Sequence, residues 1–204
     1  MKKLLVVLGL LVLVPGLAFA QGTYYVDYFT NNSGPVAGSP DQIIRIINVG
    51  TLGTPLTTPI GDICANIYVF TADQEMVACC SERLTPNELD SAYVGRQLTF
   101  NPLTSVVPPN GVIKIVLVPP PPGGCNPTVS TTTPDAALGV VFGTHLQKEP
   151  PDSSTAALFV TETEKIASPL SAAEEGFLQT ACSFTLYLGS GKGTCFSIES
   201  SGQF

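Results

Sequence analysis

Ile63-Cys64-Ala65-Asn66-Ile67-Tyr68-Val69-Phe70, a break at Thr71-Ala72-Asp73-Gln74, and then Glu75-Met76-Val77-Ala78-Cys79-Cys80 form the stretch that decides the fold. The first eight residues are dominated by β-branched and aromatic side chains, which suit a pleated surface. The polar break returns the chain into a second apolar run. The pair predicts an antiparallel β-hairpin, although its turn has no glycine to supply a positive φ. Across such a ladder Cys64 approaches the Cys79–Cys80 pair, and a cross-strand disulfide is expected, with the register deciding which cysteine faces it. Cys79 and Cys80 project to opposite faces of a strand, so they should seek separate partners.

Outward from the hairpin, more strands follow. Tyr24-Tyr25-Val26-Asp27-Tyr28-Phe29-Thr30 reads as a first strand that stops at the turn cluster Asn31-Asn32-Ser33-Gly34-Pro35. Ile43-Ile44-Arg45-Ile46-Ile47 reads as a strand with most of both faces covered. Residues 112–118 form another, ended by Pro119–Pro122, which cannot donate to a ladder. Residues 136–147 and 157–163 read as strands, and 98–100 as a short one. Thr85-Pro86-Asn87-Glu88 has the grammar of a helix start and predicts one or two helical turns. Near the C-terminus, Ser171-Ala172-Ala173-Glu174 is a capping box. Phe177, Leu178, Ala181, Cys182 and Leu186 then fall on one helical face, and Gly189 sits where a helix stops. The expected architecture is mainly β: an antiparallel β-sandwich of about seven or eight strands, stapled by disulfides, with one C-terminal α-helix over about 171–188 laid on the sheet. No internal repeat or linker divides residues 21–204, which read as a single domain.

The chain opens with Met1-Lys2-Lys3, an apolar run from Leu4 to Val14, and Ala18-Phe19-Ala20. A charged start, a short apolar middle and a small-x-small ending are the parts of a secretory signal peptide, residues 1–20, cut before Gln21. The apolar run is too short to span a bilayer, so no membrane span is expected after cleavage. Losing Lys2 and Lys3 leaves seven basic against sixteen acidic residues, a net charge of −9 with His145 neutral. That balance argues against nucleic acid as a partner. All six cysteines, Cys64, Cys79, Cys80, Cys125, Cys182 and Cys195, lie beyond the signal. An even number in an exported chain points to three disulfides among fifteen possible pairings, in a secreted or periplasmic protein. There is no Cys-x-x-Cys, so the spacing of a tetrahedral metal site is missing.

Candidate chemistry is sparse. Gly189-Ser190-Gly191-Lys192-Gly193-Thr194 looks like a phosphate loop, but it ends a helix where such a loop must precede one. It reads as a glycine-rich link that brings Cys195 back to its partner. His145, the one histidine, would have to be the base of any Ser-His-Asp system; it sits in an expected strand and no Gly-x-Ser-x-Gly elbow exists. Asp73 with Glu75, Glu162 with Glu164, and Glu174 with Glu175 are carboxylate pairs of the kind glycoside hydrolysis needs. Helix capping and solvated strand faces account for the last two, and no tryptophan is present as a sugar platform. No catalytic residue, cofactor or metal ligand is assigned. Tyr24, Tyr25, Tyr28 and Phe29 form an aromatic cluster: a first strand packed on the sheet, or an interaction strand that associates with another molecule's sheet edge.

Several of these segments together resemble a family of secreted bacterial proteins with no assigned activity. The matching residues are Gly61–Phe70, Gln74–Cys80, Asn101–Thr104, Gly124–Pro127, Thr144–Gln147 and Gly189–Cys195, and they cover most of the mature chain. Members of that family tend to carry two further cysteines where this chain has Glu82 and Ser197. The resemblance thus implies one disulfide fewer here, and it supplies no function. The expected role is an exported, non-enzymatic structural or interaction module whose partner is unknown. A ligand-binding or protease-inhibitor module and a hydrolase with an unrecognised acidic site are the alternatives.

Overall fold

The computed structural model describes residues 20–30, 41–53, 61–100, 106–129, 132–149, 157–187 and Cys195. These residues form nine strands: β1 (Ala20–Thr30), β2 (Ile43–Asn48), β3 (Ile63–Thr71), β4 (Met76–Leu84), β5 (Leu89–Tyr93), β6 (Asn110–Val118), β7 (Gly139–Glu149), β8 (Ala157–Glu164) and β9 (Ala167–Ser171). One helix, α1 (Ala172–Tyr187), follows. The strands make two antiparallel sheets, ordered β4-β3-β6-β1-β9 and β5-β2-β7-β8.

Strand β3 shows why the hairpin stretch has no polar alternation. Its residues Ile63 to Phe70 are all buried. Ile63, Ala65, Ile67 and Val69 point between the sheets, with Ile113, Ile115 and Leu117 of β6 and Ile44 and Ile46 of β2. Cys64, Tyr68 and Phe70 point the other way, into a second core with Leu178 and Cys182 of α1. The five-stranded sheet is therefore a middle layer, apolar on both faces, between helix and second sheet. The capping box holds as read: Ser171 Oγ accepts from the Glu174 N–H at 3.1 Å.

The six cysteines form three disulfides, Cys64–Cys125, Cys79–Cys182 and Cys80–Cys195. Cys79 and Cys80 do take separate partners, one on α1 and one near the chain end. The expected hairpin staple is corrected. Pairing places Cys64 opposite Arg83, Cys79 opposite Tyr68 and Cys80 opposite Ile67. The short turn at 72–75 fixes this register, and Cys64 bonds instead to the loop cysteine Cys125.

Two local expectations also fail. Thr85-Pro86-Asn87-Glu88 is a turn carrying the chain from β4 in one sheet to β5 in the other. The capping pair is present, with the Thr85 N–H donating to Glu88 Oε2 at 2.6 Å, but Asn87 at φ 67° breaks any helix. Residues 98–100 do not form a strand. Val94–Leu98 is one wide helical turn closed by the Thr99 N–H and hydroxyl, both donating to the Val94 carbonyl at 2.8 Å. Expected signal residues 1–19, the turn 31–35 and the link 189–194 lie outside the described residues.

Candidate functional site

The interior of the sandwich holds a charged cluster. On β1 the inward positions are Tyr25, Asp27 and Phe29, all buried. On β7 the inward positions opposite β2 are Val141 and Gly143, and His145 follows on the same face. Lys165 leaves β8 at the step between the sheets, anchored by its N–H to the Val141 carbonyl at 2.8 Å. The topology thus brings a carboxylate, an imidazole and an ammonium together from the first strand, the seventh strand and the β8–β9 junction.

Their geometry is tight. Asp27 Oδ1 lies 2.9 Å from Lys165 Nζ and 3.0 Å from His145 Nε2, and it accepts the Tyr28 N–H at 2.8 Å. Nε2 also faces the Tyr28 carbonyl oxygen at 3.2 Å. Both partners of Nε2 are acceptors, so that nitrogen carries the proton. Side-chain exposure is 2% for Asp27, 7% for His145 and 10% for Lys165. The Tyr28 ring stacks on the His145 ring, with centroids 4.3 Å apart. Asp27 Oδ2 has no hydrogen-bond partner. It points at Gly143, where a Cβ would fall 2.1 Å from Oδ2 and 2.7 Å from Lys165 Cε. Glycine there is a requirement of space.

A second pair of carboxyls closes the opposite side of the sandwich. Glu82 of β4 lies opposite Ala65 and Asp90 of β5 opposite Ile46, both partners being inward positions. Burial, then the charge of Asp90, pushes the Glu82 carboxyl up to about 7. Burial pushes Asp90 up to about 6, against the pull of the Ser91 N–H, and Glu88 adds to the rise. Asp90 Oδ2 has no hydrogen-bond partner.

The carboxylate pairs chosen from sequence go elsewhere. Asp73 and Glu75 line an open cleft of about 580 Å³ together with Val77, Phe100 and Val106. The Thr71 hydroxyl bonded to Asp73 holds that carboxyl below its ordinary value, the wrong direction for a general acid. Glu162 pairs with Arg45, and Glu174 with Lys114. Glu175 accepts from Gln179 at 3.1 Å. The aromatic cluster divides: Tyr25 and Phe29 lie in the core between the sheets, Tyr24 packs toward the helix side, and Tyr28 is exposed. Strand β1 pairs with β6 along 25–30 and with β9 along 20–25.

Asp27, Lys165, Glu82 and Asp90 were not singled out from sequence. Asp27 and Glu82 did carry a signal, since each is a lone acid at a position whose parity matches buried neighbours, Tyr25 and Phe29 for one and Leu84 for the other. Lys165 carried none. Among the described residues no helix is long and apolar enough to cross a membrane, and no three His, Cys, Asp or Glu side chains are grouped to hold a metal ion.

Fold and cluster together define a disulfide-bonded, helix-covered antiparallel β-sandwich with a buried Asp-His-Lys centre. No family model matches the chain, and neither does any curated protein or solved structure.

Proposed function

We propose that this chain is an exported structural or interaction module that works in the periplasm or outside a bacterial cell once residues 1–20 are removed. The observation behind the proposal is the placement of Asp27, His145 and Lys165. The side chains best suited to chemistry bind one another in the interior, where a substrate cannot reach them, and they join the first strand to β7 and to the β8–β9 junction. Three disulfides across the same framework fit an oxidising compartment.

One observation favours the hydrolytic alternative, the facing Glu82 and Asp90 with their raised carboxyls. One experiment addresses both. Secreted protein is assayed at pH 5–7 against ester, peptide and glycoside panels, beside Glu82→Gln and His145→Gln. The structural reading expects no turnover by any of the three and a lowered melting temperature for His145→Gln. Turnover by the wild type that disappears in a folded Glu82→Gln protein would establish the hydrolase instead.

A further inference from the structure

We propose that Lys165 and Asp27 condense into an intramolecular amide, a covalent bond between the first strand and the β8–β9 junction. The reacting groups are already in contact, with Nζ 2.9 Å from Oδ1 of the carboxyl group whose Cγ it would attack. An ion pair in that place is costly, because two charges have left water and their attraction only partly offsets the desolvation. Condensation removes both charges at once.

The balance needs no outside reagent. The ammonium of Lys165 gives one proton to the Asp27 carboxylate, leaving a neutral amine beside a neutral acid. The Nζ lone pair attacks Cγ, and the new C–N bond forms as the C–Oδ2 bond breaks. Nζ releases a second proton to the departing oxygen, so water leaves and one N–H remains on the amide. Oδ1 stays as the amide carbonyl.

The surroundings fit these roles. Oδ1 accepts from the Tyr28 main-chain N–H at 2.8 Å and faces the protonated Nε2 of His145 at 3.0 Å. Two fixed donors at the oxygen that gains charge during attack make the arrangement used to stabilise acyl-transfer intermediates. Oδ2 has no partner and faces the bare Cα of Gly143, so nothing holds it in place. The site is almost closed to water, which would drive the reverse reaction. Fixing amine and acid in one place is equivalent to roughly 10⁵–10⁸ M of reactant, enough to overcome the unfavourable condensation of ions in bulk water. His145 and Tyr28 are positioning residues, and Lys165 and Asp27 are the reactants.

Mass spectrometry of the purified full chain, reduced and alkylated, tests the bond. The expected result is a protein lighter by one water than its observed N-terminus predicts. Its tryptic digest should contain one branched peptide, 21–45 joined to 149–192, with cleavage blocked at Lys165. Asp27→Asn should lose ammonia in place of water and give the same branch. Lys165→Arg should give three separate peptides, 21–45, 149–165 and 166–192, and His145→Gln should form the bond about 100-fold more slowly. Wild-type protein of full mass with Lys165 cleaved overturns the proposal, and so does a water loss confined to an unbranched peptide, as from a succinimide. The wild-type protein alone decides between these outcomes, so the test survives a variant that fails to fold. A negative result would not affect the structural role proposed above, which turnover measurements test separately.

Discussion

At the residue scale, the positions that matter most are polar groups sharing a face with apolar neighbours. Gly143 is the clearest case. Gly143→Ala sets a methyl against Oδ2 of Asp27 and Cε of Lys165 and must break the buried cluster. A loss of about 3 kcal/mol in urea unfolding is expected, the upper range for forcing an extra methyl into a filled interior. Asn48 is fully buried, and its Nδ2 donates to the Gly61 and Leu84 carbonyls at 2.9 and 3.0 Å. Asn48→Ala removes the hydrogen bonds to both carbonyls and should cost about 2 kcal/mol by the same measurement.

The raised carboxyls of Glu82 and Asp90 give a pH dependence whose sign is fixed. Their values in the unfolded chain are near 4.5 and 3.8, against about 7 and about 6 in the folded protein. Between those limits the folded state binds more protons than the unfolded one. The stability they contribute is complete below about pH 4 and is lost as pH rises through 6 to 7. The gap in urea-unfolding free energy between wild type and Glu82→Gln/Asp90→Asn should therefore shift by about 3 kcal/mol between pH 4.5 and 7.5, allowing for partial solvent screening. An unchanged gap would show that neither carboxyl is protonated in the fold.

At the element scale, legibility followed local pattern strength. Strand β3 and helix α1 were readable because long apolar runs and a capping box need no tertiary context. Strands β5 and β9 were not. Leu89-Asp90-Ser91-Ala92-Tyr93 is short, and only its inward Asp90 and Ala92 are buried. In β9 the sequence Ala167-Ser168-Pro169-Leu170-Ser171 carries a proline, which lowers any strand reading and is tolerated here because β9 is a sheet edge. The Thr85–Glu88 pair misled because a capping box and a tight turn use the same hydrogen bond, and the left-handed Asn87 that separates them cannot be seen in sequence. The buried cluster was illegible for a related reason: its members come from three elements, and only the sheet order brings them together.

The seating of α1 gives a prediction at this scale. Leu178 and Cys182 are fully buried, and Cys182 bonds to Cys79 on β4 across 103 residues of chain. Replacing both cysteines by serine should cost about 2–5 kcal/mol while leaving the sheets intact. The check is a urea midpoint that falls while the strand signal in far-ultraviolet circular dichroism persists. Leu178→Ala should cost about 2–5 kcal/mol through the cavity it leaves under the helix.

At the scale of the whole molecule, the helix, two sheets and three disulfides make one continuous unit with two cores, and the first strand lies inside it. Strand β1 finds its ladder partners only at residues 110–115 and 167–171. Contacts that distant in sequence form slowly, because the loop must close before any pairing rewards it. An emerging β1 therefore has no means of completing its sheet until residues 167–171 have also been made. For the export route proposed here this is an advantage: the chain stays threadable through a translocation channel and acquires its compact form only when β9 has arrived on the far side.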